Sequence, residues 1–280
     1  MRPTRSLFAG FIAMILCACQ SVSPPAGFDA RGLAAEEAKF AAHSVRHGMQ
    51  PAFVEFMAPG SVLLRPHPVD GREYMRTRPN PPILLDWKSA LTVLAASGEL
   101  GLSTGPWIRT PSADPKAAPS FGQFFSIWRK QADGAWRVEF DHGISHAGHD
   151  GMQEALRALD LPRASTPGGP VPEQEFIALA GSGGARAAHA RFATSTTRSL
   201  REGRAPIVAQ GAVRSDQDAE NRYAWTPDRT VTSAAGDFAY VLGRWTLPGA
   251  ATGGTGYYMR VWITEAGSWR LAADIVTPDP

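Results

Sequence analysis

The sequence predicts an α+β protein with two tandem domains, each with helices followed by an antiparallel sheet. The first observation is a repeat: the stretch from Trp87 to Trp107 returns without a gap from Trp225 to Trp245, with seven identical residues. The second is the length of 280 residues, since domains average roughly 150 residues. The third is the order of patterns, because helical spacing before a run of long alternating segments is typical of α+β domains.

The first predicted domain covers 31–160 and begins with helices. Leu33 to Gly48 has apolar residues at helical spacing, and the glycine marks its end. Pro51 begins a second helix, since proline is tolerated at the first helical position. A short strand follows at Ser61 to Pro66, and Asp70 caps another short helix.

Two hairpins complete this domain. The stretch from Trp87 to Trp107 alternates β-branched and aromatic residues on either side of Ser97-Gly98-Glu99, where glycine accepts the positive φ of a turn. A second pair of strands begins at Phe121 and turns at Asp133-Gly134. Residues 152–159, which follow these strands, are interpreted as a short surface helix.

The second predicted domain covers 173–280 and follows a linker at 161–172 that is rich in proline and glycine. Glu173 to Leu200 repeats the long helix of the first domain, but three glycines interrupt it (Gly181, Gly183 and Gly184). Each glycine costs a helix interior about 1 kcal/mol relative to alanine. We therefore expect a broken or shortened helix and a degenerate second domain.

The N-terminus has the pattern of a processed segment. Two arginines precede an apolar run that is too short to span a bilayer as a mature helix, and Cys19 follows it. This resembles the signal of a bacterial lipoprotein, which implies a signal peptide at 1–18, acylation of Cys19 and a tether at 19–30. Several acyl chains hold a protein on a membrane where one chain is marginal. Gln20 implies the outer membrane, facing the periplasm; a plain secretory signal is the alternative.

The composition excludes several classes of function. Without Arg2 and Arg5, 26 basic residues balance 26 acidic ones, so the chain has no electrostatic footprint for nucleic acid. The only two cysteines, Cys17 and Cys19, lie at the predicted processing site. Disulfides, thiolate catalysis and cysteine metal sites are therefore excluded from the folded part. We predict no cofactor, and the glycines of 181–184 lack the Lys-Ser/Thr pair that follows in a phosphate loop.

Three pieces of the first domain carry a family resemblance. They are the helix with Phe40, the Gly71-Arg72-Glu73 helix start and the strand that begins Trp136-Arg137-Val138. Together they resemble the nuclear transport factor 2-like, or SnoaL-like, superfamily, in its uncharacterised ketosteroid-isomerase-like branch. The resemblance implies two cone-shaped domains, each a curved antiparallel sheet whose mouth is closed by the N-terminal helices. It also implies either ligand binding in the cone or general acid/base catalysis by an isomerase, cyclase or lyase.

Comparison of the two copies favours a site in the first domain. Six of the seven histidines lie in or just after the first copy. Strand alternation puts Trp136, Val138, Phe140 and His142 on one face, which the resemblance implies is the cavity face. Ile275 replaces His142 in the second copy, so His142 is the predicted polar contact, as a hydrogen-bond donor or general base.

Aromatic side chains are the predicted walls of this cavity, since small-molecule pockets are lined mainly by apolar groups. Because the tryptophans recur in both copies, core packing is the favoured explanation for them, and walls of a ligand pocket are the alternative. The complete set of candidate ligand-binding residues is His142, Trp87, Trp107, Phe140, Tyr74 and Asp86.

A polar cluster surrounds the end of the last strand of the first domain. It contains Asp141, His142, His146, His149 and Asp150. The spacing matches no strong metal pattern, and a polar loop explains it, so we predict no metal site. Asp141 recurs in the second copy, which favours a structural role over acid/base chemistry with His142 or Tyr74.

We therefore expect a membrane-anchored periplasmic lipoprotein that binds a small apolar molecule or a partner in the cone of its first domain. A ketosteroid-isomerase-like or SnoaL-like enzyme is the alternative. A scaffold without a ligand is a third possibility, which a solidly packed cone would favour.

Overall fold

The computed structural model describes residues 28–65, 67–112, 114, 116–148, 151–163, 169–208, 223–249 and 254–279. These residues form an α+β structure with two sheets, which confirms the predicted class. The predicted signal peptide, Cys19 and most of the tether lie outside the described residues, as do residues 164–168 of the predicted linker. No helix in the described ranges is long and apolar enough to cross a membrane.

The N-terminal half (28–163) contains three helices. The first, α1 (Ala30–His47), is capped by Asp29, whose side chain accepts a hydrogen bond from the Gly32 amide. Gly48 separates α1 from α2 (Met49–Phe56) with a φ of 96°, a conformation that glycine adopts without steric cost. The short α3 (Gly71–Arg76) is capped by Asp70, as predicted.

This half contains one sheet, whose first two strands precede α3. Its strands are β1 (Met57–Leu64), β2 (Pro68–Asp70), β3 (Ile83–Trp87), β4 (Leu91–Leu94), β5 (Leu100–Pro111), β6 (Ser120–Lys130), β7 (Trp136–His146) and β8 (Arg157–Asp160). Their order is β2-β1-β7-β6-β5-β4-β8, and β3 also pairs with β5. The helix predicted at 152–159 is wrong: β8 extends the sheet instead, because it satisfies backbone groups at the edge of β4.

The C-terminal half (169–279) has one helix, α4 (Glu173–Phe192), among its described residues. Of its glycines, Gly184 alone has non-helical angles, with a φ of 76°. The helix predicted to reach Leu200 ends earlier, because a run rich in threonine forms β9 (Ala193–Arg201). The other strands are β10 (Ile207–Val208), β11 (Ala224–Thr232), β12 (Phe238–Thr246), β13 (Thr255–Glu265) and β14 (Ser268–Pro278), in the order β10-β9-β14-β13-β12-β11.

Each sheet has one face covered by its own helices and one face turned to the other sheet. The faces between the sheets form a single central cluster of buried apolar side chains, which includes Phe125 and Phe140 from one sheet and Tyr240 and Ile275 from the other. The repeated tryptophans hold equivalent registers, since Trp87 pairs with Trp107 and Trp225 with Trp245.

Contacts between the two β-hairpins are reciprocal. The Ala234 amide donates to Glu99 at 2.7 Å, and the Ala96 amide donates to Asp237 at 2.8 Å. Ala96 and Ala234 hold matching positions in the repeat, as do Glu99 and Asp237. The contact is therefore of the isologous kind, in which each partner presents the same patch.

A β-bulge in β7 decides which of its side chains face the helices. Ile127 pairs with Phe140 but the next residue, Trp128, pairs with Val138, so Glu139 is an extra residue in the ladder. A bulge reverses the alternation of side chains beyond it. Val138 consequently packs under the helices, whereas Phe140 lies in the central cluster.

Candidate functional site

A pocket of about 280 Å³ opens on the helix-covered face of the N-terminal sheet. Its wall combines apolar and aromatic side chains from α2, β3, β5 and β6 with polar groups from β5, β7 and the end of β1. The lining residues are Met49, Phe53, Arg65, Ile83, Leu85, Trp87, Trp107, Arg109, Phe124, Asp141, His142, Gly143 and Ser145.

Three of the six predicted ligand-binding residues line this pocket: Trp87, Trp107 and His142. Phe140 does not, because the bulge at residue 139 turns it into the central cluster. The predicted common face of Phe140 and Trp136 is therefore wrong. The prediction failed because it assumed that side chains alternate between the two faces along the whole strand, with no bulge.

Asp86 and Tyr74 also lie outside the pocket lining. Asp86 is between Leu85 and Trp87, which both line the pocket, so alternation directs it to the opposite face. Its carboxylate accepts a hydrogen bond from the Trp87 amide at 2.8 Å. Tyr74 lies on α3, where the Arg78 guanidinium stacks 3.9 Å from its ring centroid.

Glu37 is a buried acid behind the pocket that the sequence interpretation missed. The indole nitrogens of Trp87 and Trp128 donate to its two carboxylate oxygens, each at 2.7 Å. Burial raises the pKa of Glu37 to about 7, although both indole bonds oppose the shift. The sequence does contain a sign that Glu37 belongs to the repeated framework: it precedes Phe40 by three residues, as Glu173 precedes Phe176 in the second copy.

Asp141 is the carboxyl group on the pocket wall. Ser126 donates to it at 2.7 Å. Burial raises the pKa of Asp141 to about 6, against the opposing effects of the Ser126 hydrogen bond and the Arg65 charge. A carboxyl group with a pKa near the working pH is suited to accept and return a proton.

His142 is a neutral imidazole at the pocket wall. Burial and the nearby Arg65 charge lower the pKa of His142 to about 3. Arg65 Nη1 lies 3.5 Å from His142 Nδ1, and a guanidinium has only donors, so this contact requires an unprotonated Nδ1. The ring proton is therefore on Nε2, which is buried without a hydrogen-bond partner among the described residues.

The matching face of the C-terminal half is filled by Arg260. This side chain is fully buried, and its guanidinium lies 3.9 to 4.2 Å from the ring centroids of Phe176, Trp225 and Tyr258. Glu173, the counterpart of Glu37, accepts hydrogen bonds from Arg260, from Tyr258 at 3.0 Å and from Trp262 at 2.9 Å. Ser126 holds the position of Arg260 in the N-terminal half.

A second buried charge cluster lies under α4. Asp274 accepts a hydrogen bond from Arg201 at 2.8 Å and lies 3.4 Å from His189. Against the effect of burial, the charge of Arg201 and the neighbouring His189 hold the pKa of Asp274 well below its usual range. Within the described ranges no group of three His, Cys, Asp or Glu residues is placed to hold a metal ion; His149 and Asp150 of the polar cluster lie outside those ranges.

No family model matches the chain, and no curated protein matches it. Its similar solved structures include nuclear transport factor 2-like and ketosteroid isomerase-like proteins, as the sequence resemblance implied. One is a nuclear transport factor 2-like protein of unknown function from Pseudomonas putida, at 18% identity and a TM-score of 0.32, which covers 46% of this chain and 96% of that one.

Two further structures match at the same level. A protein of the same description from Shewanella oneidensis has 15% identity, a TM-score of 0.31 and coverage of 38% and 99%. A ketosteroid isomerase-like protein from Erwinia carotovora atroseptica has 16% identity, a TM-score of 0.32 and coverage of 41% and 96%. Each match spans less than half of this chain. The activity of this chain must therefore be inferred from its own residues.

Proposed function

We propose that the N-terminal half binds a small, mostly apolar molecule in its pocket. The observation that carries the proposal is the contrast between two matching faces: one encloses about 280 Å³, and the other is filled by its own buried Arg260. Small-molecule sites are largely apolar clefts with a few placed polar groups. Trp87, Trp107 and Phe124 supply such walls, and an open pocket argues against a scaffold without a ligand.

The volume limits the size of the molecule. Ligand pockets range from roughly 300 to 1,000 Å³, so 280 Å³ favours a ligand of about two fused rings. The flat indole of Trp107, which is only partly buried, suits a planar ring system.

The two halves are proposed to be copies of one cone-shaped unit, with domains at 31–160 and 173–280 joined by a linker at 161–172. Support comes from the matched glycine breaks at Gly48 and Gly184 and from the reciprocal hairpin contacts. Limited proteolysis within 161–172 should give two fragments that stay associated under native conditions, because the central cluster joins them. Separation of the fragments without denaturant would contradict this arrangement.

We also propose that Cys19 is acylated and holds the protein at the outer membrane, facing the periplasm. Support comes only from the basic start, the short apolar run and Cys19 with Gln20 after it. Mass spectrometry of the purified N-terminus should find a modified cysteine, and Cys19→Ala should leave the unprocessed precursor. An unmodified N-terminus in the wild-type protein would overturn the proposal.

Binding can be tested with the neutral fluorescent probe N-phenyl-1-naphthylamine. The blocking variant is Ser126→Arg with Phe124→Tyr, which copies into the N-terminal half the residues that fill the C-terminal half. Wild-type protein should bind one equivalent of probe, and the blocked variant should bind none. The control Ser112→Arg adds the same side chain at an exposed position and should bind as wild type.

Thermal unfolding shows whether the blocked variant has folded, and Ser145→Trp at the exposed rim is a second way to obstruct the pocket. Equal probe binding by wild type and by a folded blocked variant would place the ligand elsewhere and contradict the proposal.

Enzymatic general acid/base chemistry is the second candidate function, and one observation favours it. Asp141 lines the pocket with a pKa raised to about 6, so it can take a proton from a weakly acidic carbon and return it. With 2-tetralone in deuterium oxide, wild-type protein should incorporate deuterium beside the carbonyl at least ~100-fold faster than Asp141→Asn, as general base catalysis typically contributes. Equal rates would leave binding as the function.

A further inference from the structure

Two arginines in the pocket wall are not neutralised. Arg65 Nη1 donates to the Leu64 carbonyl at 2.7 Å, and Arg109 Nε donates to Ser120 at 3.0 Å. Neither forms an ion pair with any residue that the structure describes. A guanidinium has five N–H donors, so most of the donors of both side chains remain uncommitted to the carboxylates that the structure describes.

The C-terminal half shows that the same position can be neutralised. Arg201, the last residue of β9, matches Arg65, which directly follows β1, and it forms a 2.8 Å ion pair with Asp274. Asp141 is the counterpart of Asp274, yet it is hydrogen-bonded to Ser126 rather than paired with Arg65. The arginine is therefore paired with a carboxylate in the filled half, whereas its counterpart in the open half has no such pair among the described residues.

The charge of the pocket wall is positive in every protonation state. Arg65 and Arg109 contribute two positive charges, His142 is neutral, and Asp141 contributes at most one negative charge. Glu37 lies behind Trp87 and is not part of the lining. A net positive charge of one or two in a cavity with both apolar and polar walls favours an anion with an apolar body, because desolvated charge requires a partner.

We infer that the molecule bound in this pocket is a planar organic carboxylate, whose apolar body lies against Trp87 and Trp107 and whose carboxylate accepts hydrogen bonds from Arg65 or Arg109. The inference rests on the proposed binding function and specifies its ligand class. A carboxylate fits better than a phosphate because one negative charge matches the net charge that remains when Asp141 is ionised. Arginine also binds carboxylates in a bidentate geometry.

The test uses two probes of nearly equal shape, 2-naphthoate and 2-naphthamide, which displace N-phenyl-1-naphthylamine from the protein. The naphthoate should bind at least ~10-fold more tightly than the amide in wild type. The preference should disappear in the double variant Arg65→Gln/Arg109→Gln, and each single variant should show which arginine contributes more. Asp141→Asn should strengthen naphthoate binding, because it removes a like charge.

The control is Arg76→Gln, on the exposed surface of α3 and outside the pocket. It removes the same charge from the protein and should keep the wild-type preference. Equal binding of naphthoate and amide, or an unchanged preference in the double variant, would overturn the inference.

The outcomes separate this inference from the proposed function. If the neutral probe binds but the naphthoate has no advantage, the pocket binds ligands and the carboxylate assignment is wrong. If the neutral probe does not bind, calorimetric titration with naphthoate decides: arginine-dependent binding supports the inference, and its absence overturns both proposals.

Discussion

Glu37 in α1 and Glu173 in α4 hold matching positions in the two halves, but their hydrogen-bond partners differ. Glu37 accepts two indole N–H groups and has a pKa raised to about 7. Glu173 accepts hydrogen bonds from Arg260, Tyr258 and Trp262. The two halves therefore differ at one matching position, which is Ser126 in one sheet and Arg260 in the other. Glu37 lies beside an open pocket, whereas Glu173 lies within a filled core.

The same framework holds buried carboxylates in two different ways in the two halves. In the C-terminal half, buried arginines pair with buried carboxylates, as Arg260 does with Glu173 and Arg201 with Asp274. In the N-terminal half, Glu37 and Asp141 are buried and form no ion pair with an arginine that the structure describes, and both have raised pKa values. Unlike Asp274, whose pKa is lowered, these two groups have pKa values raised toward neutrality, where a carboxyl group can accept and return a proton, which agrees with the N-terminal half as the functional one.

The largest effect is expected from Glu173→Gln. Arg260 cannot lose its proton, and it is fully buried with Nε and Nη2 already without partners among the described residues. Removal of its carboxylate partner should lower the free energy of unfolding by about 3 to 5 kcal/mol, as for other broken buried ion pairs. Urea denaturation at pH 7 measures this change.

Glu37→Gln is the matched control, since it removes the same charge from the same position in the other half. At pH 7 it should cost only about 1 kcal/mol, for one lost indole acceptor. Equal costs for the two variants would show that Arg260 does not distinguish the two halves energetically.

The second effect is a pH dependence due to Glu37. A carboxyl group whose pKa rises from 4.5 to about 7 on folding binds its proton more tightly in the folded state. Its contribution to stability is therefore full below pH 4.5 and is lost as the pH rises through 7. The shift corresponds to about 3 kcal/mol.

Denaturation of wild type and Glu37→Gln between pH 4 and pH 8 measures this contribution. The difference in unfolding free energy should change in favour of the variant as the pH rises. Asp274 titrates in the opposite sense but equally in both proteins, so it cancels. A difference that is constant with pH would show that Glu37 titrates normally.

Much of the fold could be predicted from the sequence. The hairpin with its turn at Gly98, the caps Asp29 and Asp70 and the break at Gly48 all follow from local backbone preferences or side-chain hydrogen bonds. Of these, the cap by Asp70, the hairpin and the end of the helix at Gly48 were predicted. β8 was mistaken for a helix, because its pairing with β4 depends on a free sheet edge that no local pattern reveals.

The site was predicted less well, for two physical reasons. A single extra residue at Glu139 reversed the alternation that assigned Phe140 to the cavity, and a bulge has no reliable local signature. The raised pKa of Asp141 depends on burial created by distant segments. Trp87, Trp107 and His142 line the pocket, but their role in binding stays a prediction, and the assignment of His142 rested on the same alternation that the bulge interrupts.

A third variant should open the filled half. The double substitution Arg260→Ser/Tyr258→Phe copies the N-terminal residues Ser126 and Phe124 into the second sheet. Trp225 Nε1, which is buried without a partner among the described residues, then becomes free to donate to Glu173 as Trp87 donates to Glu37. Titration with N-phenyl-1-naphthylamine should show a second equivalent of bound probe.

The cost to stability should be roughly 2 kcal/mol, within the range for a buried polar group left unpaired. It should be smaller than that of Glu173→Gln, because a buried carboxyl group can neutralise itself by binding a proton and a guanidinium cannot. An unchanged stoichiometry in a folded variant would mean that Arg260 is not what closes this face.

The smallest effects concern the reciprocal contacts between the two hairpins. Asp237 is almost fully buried and accepts hydrogen bonds from both the Ala96 amide and Ser233, each at 2.8 Å. Glu99 is only partly buried and accepts one hydrogen bond, from the Ala234 amide. Asp237→Ala should therefore cost about 1.5 kcal/mol and Glu99→Ala about 0.5 kcal/mol, since loss of a buried acceptor leaves its donors unpaired whereas water replaces an exposed one. Chemical denaturation of both single variants and the double variant measures these costs, and equal single costs would show that burial does not distinguish the two sides of this symmetric contact.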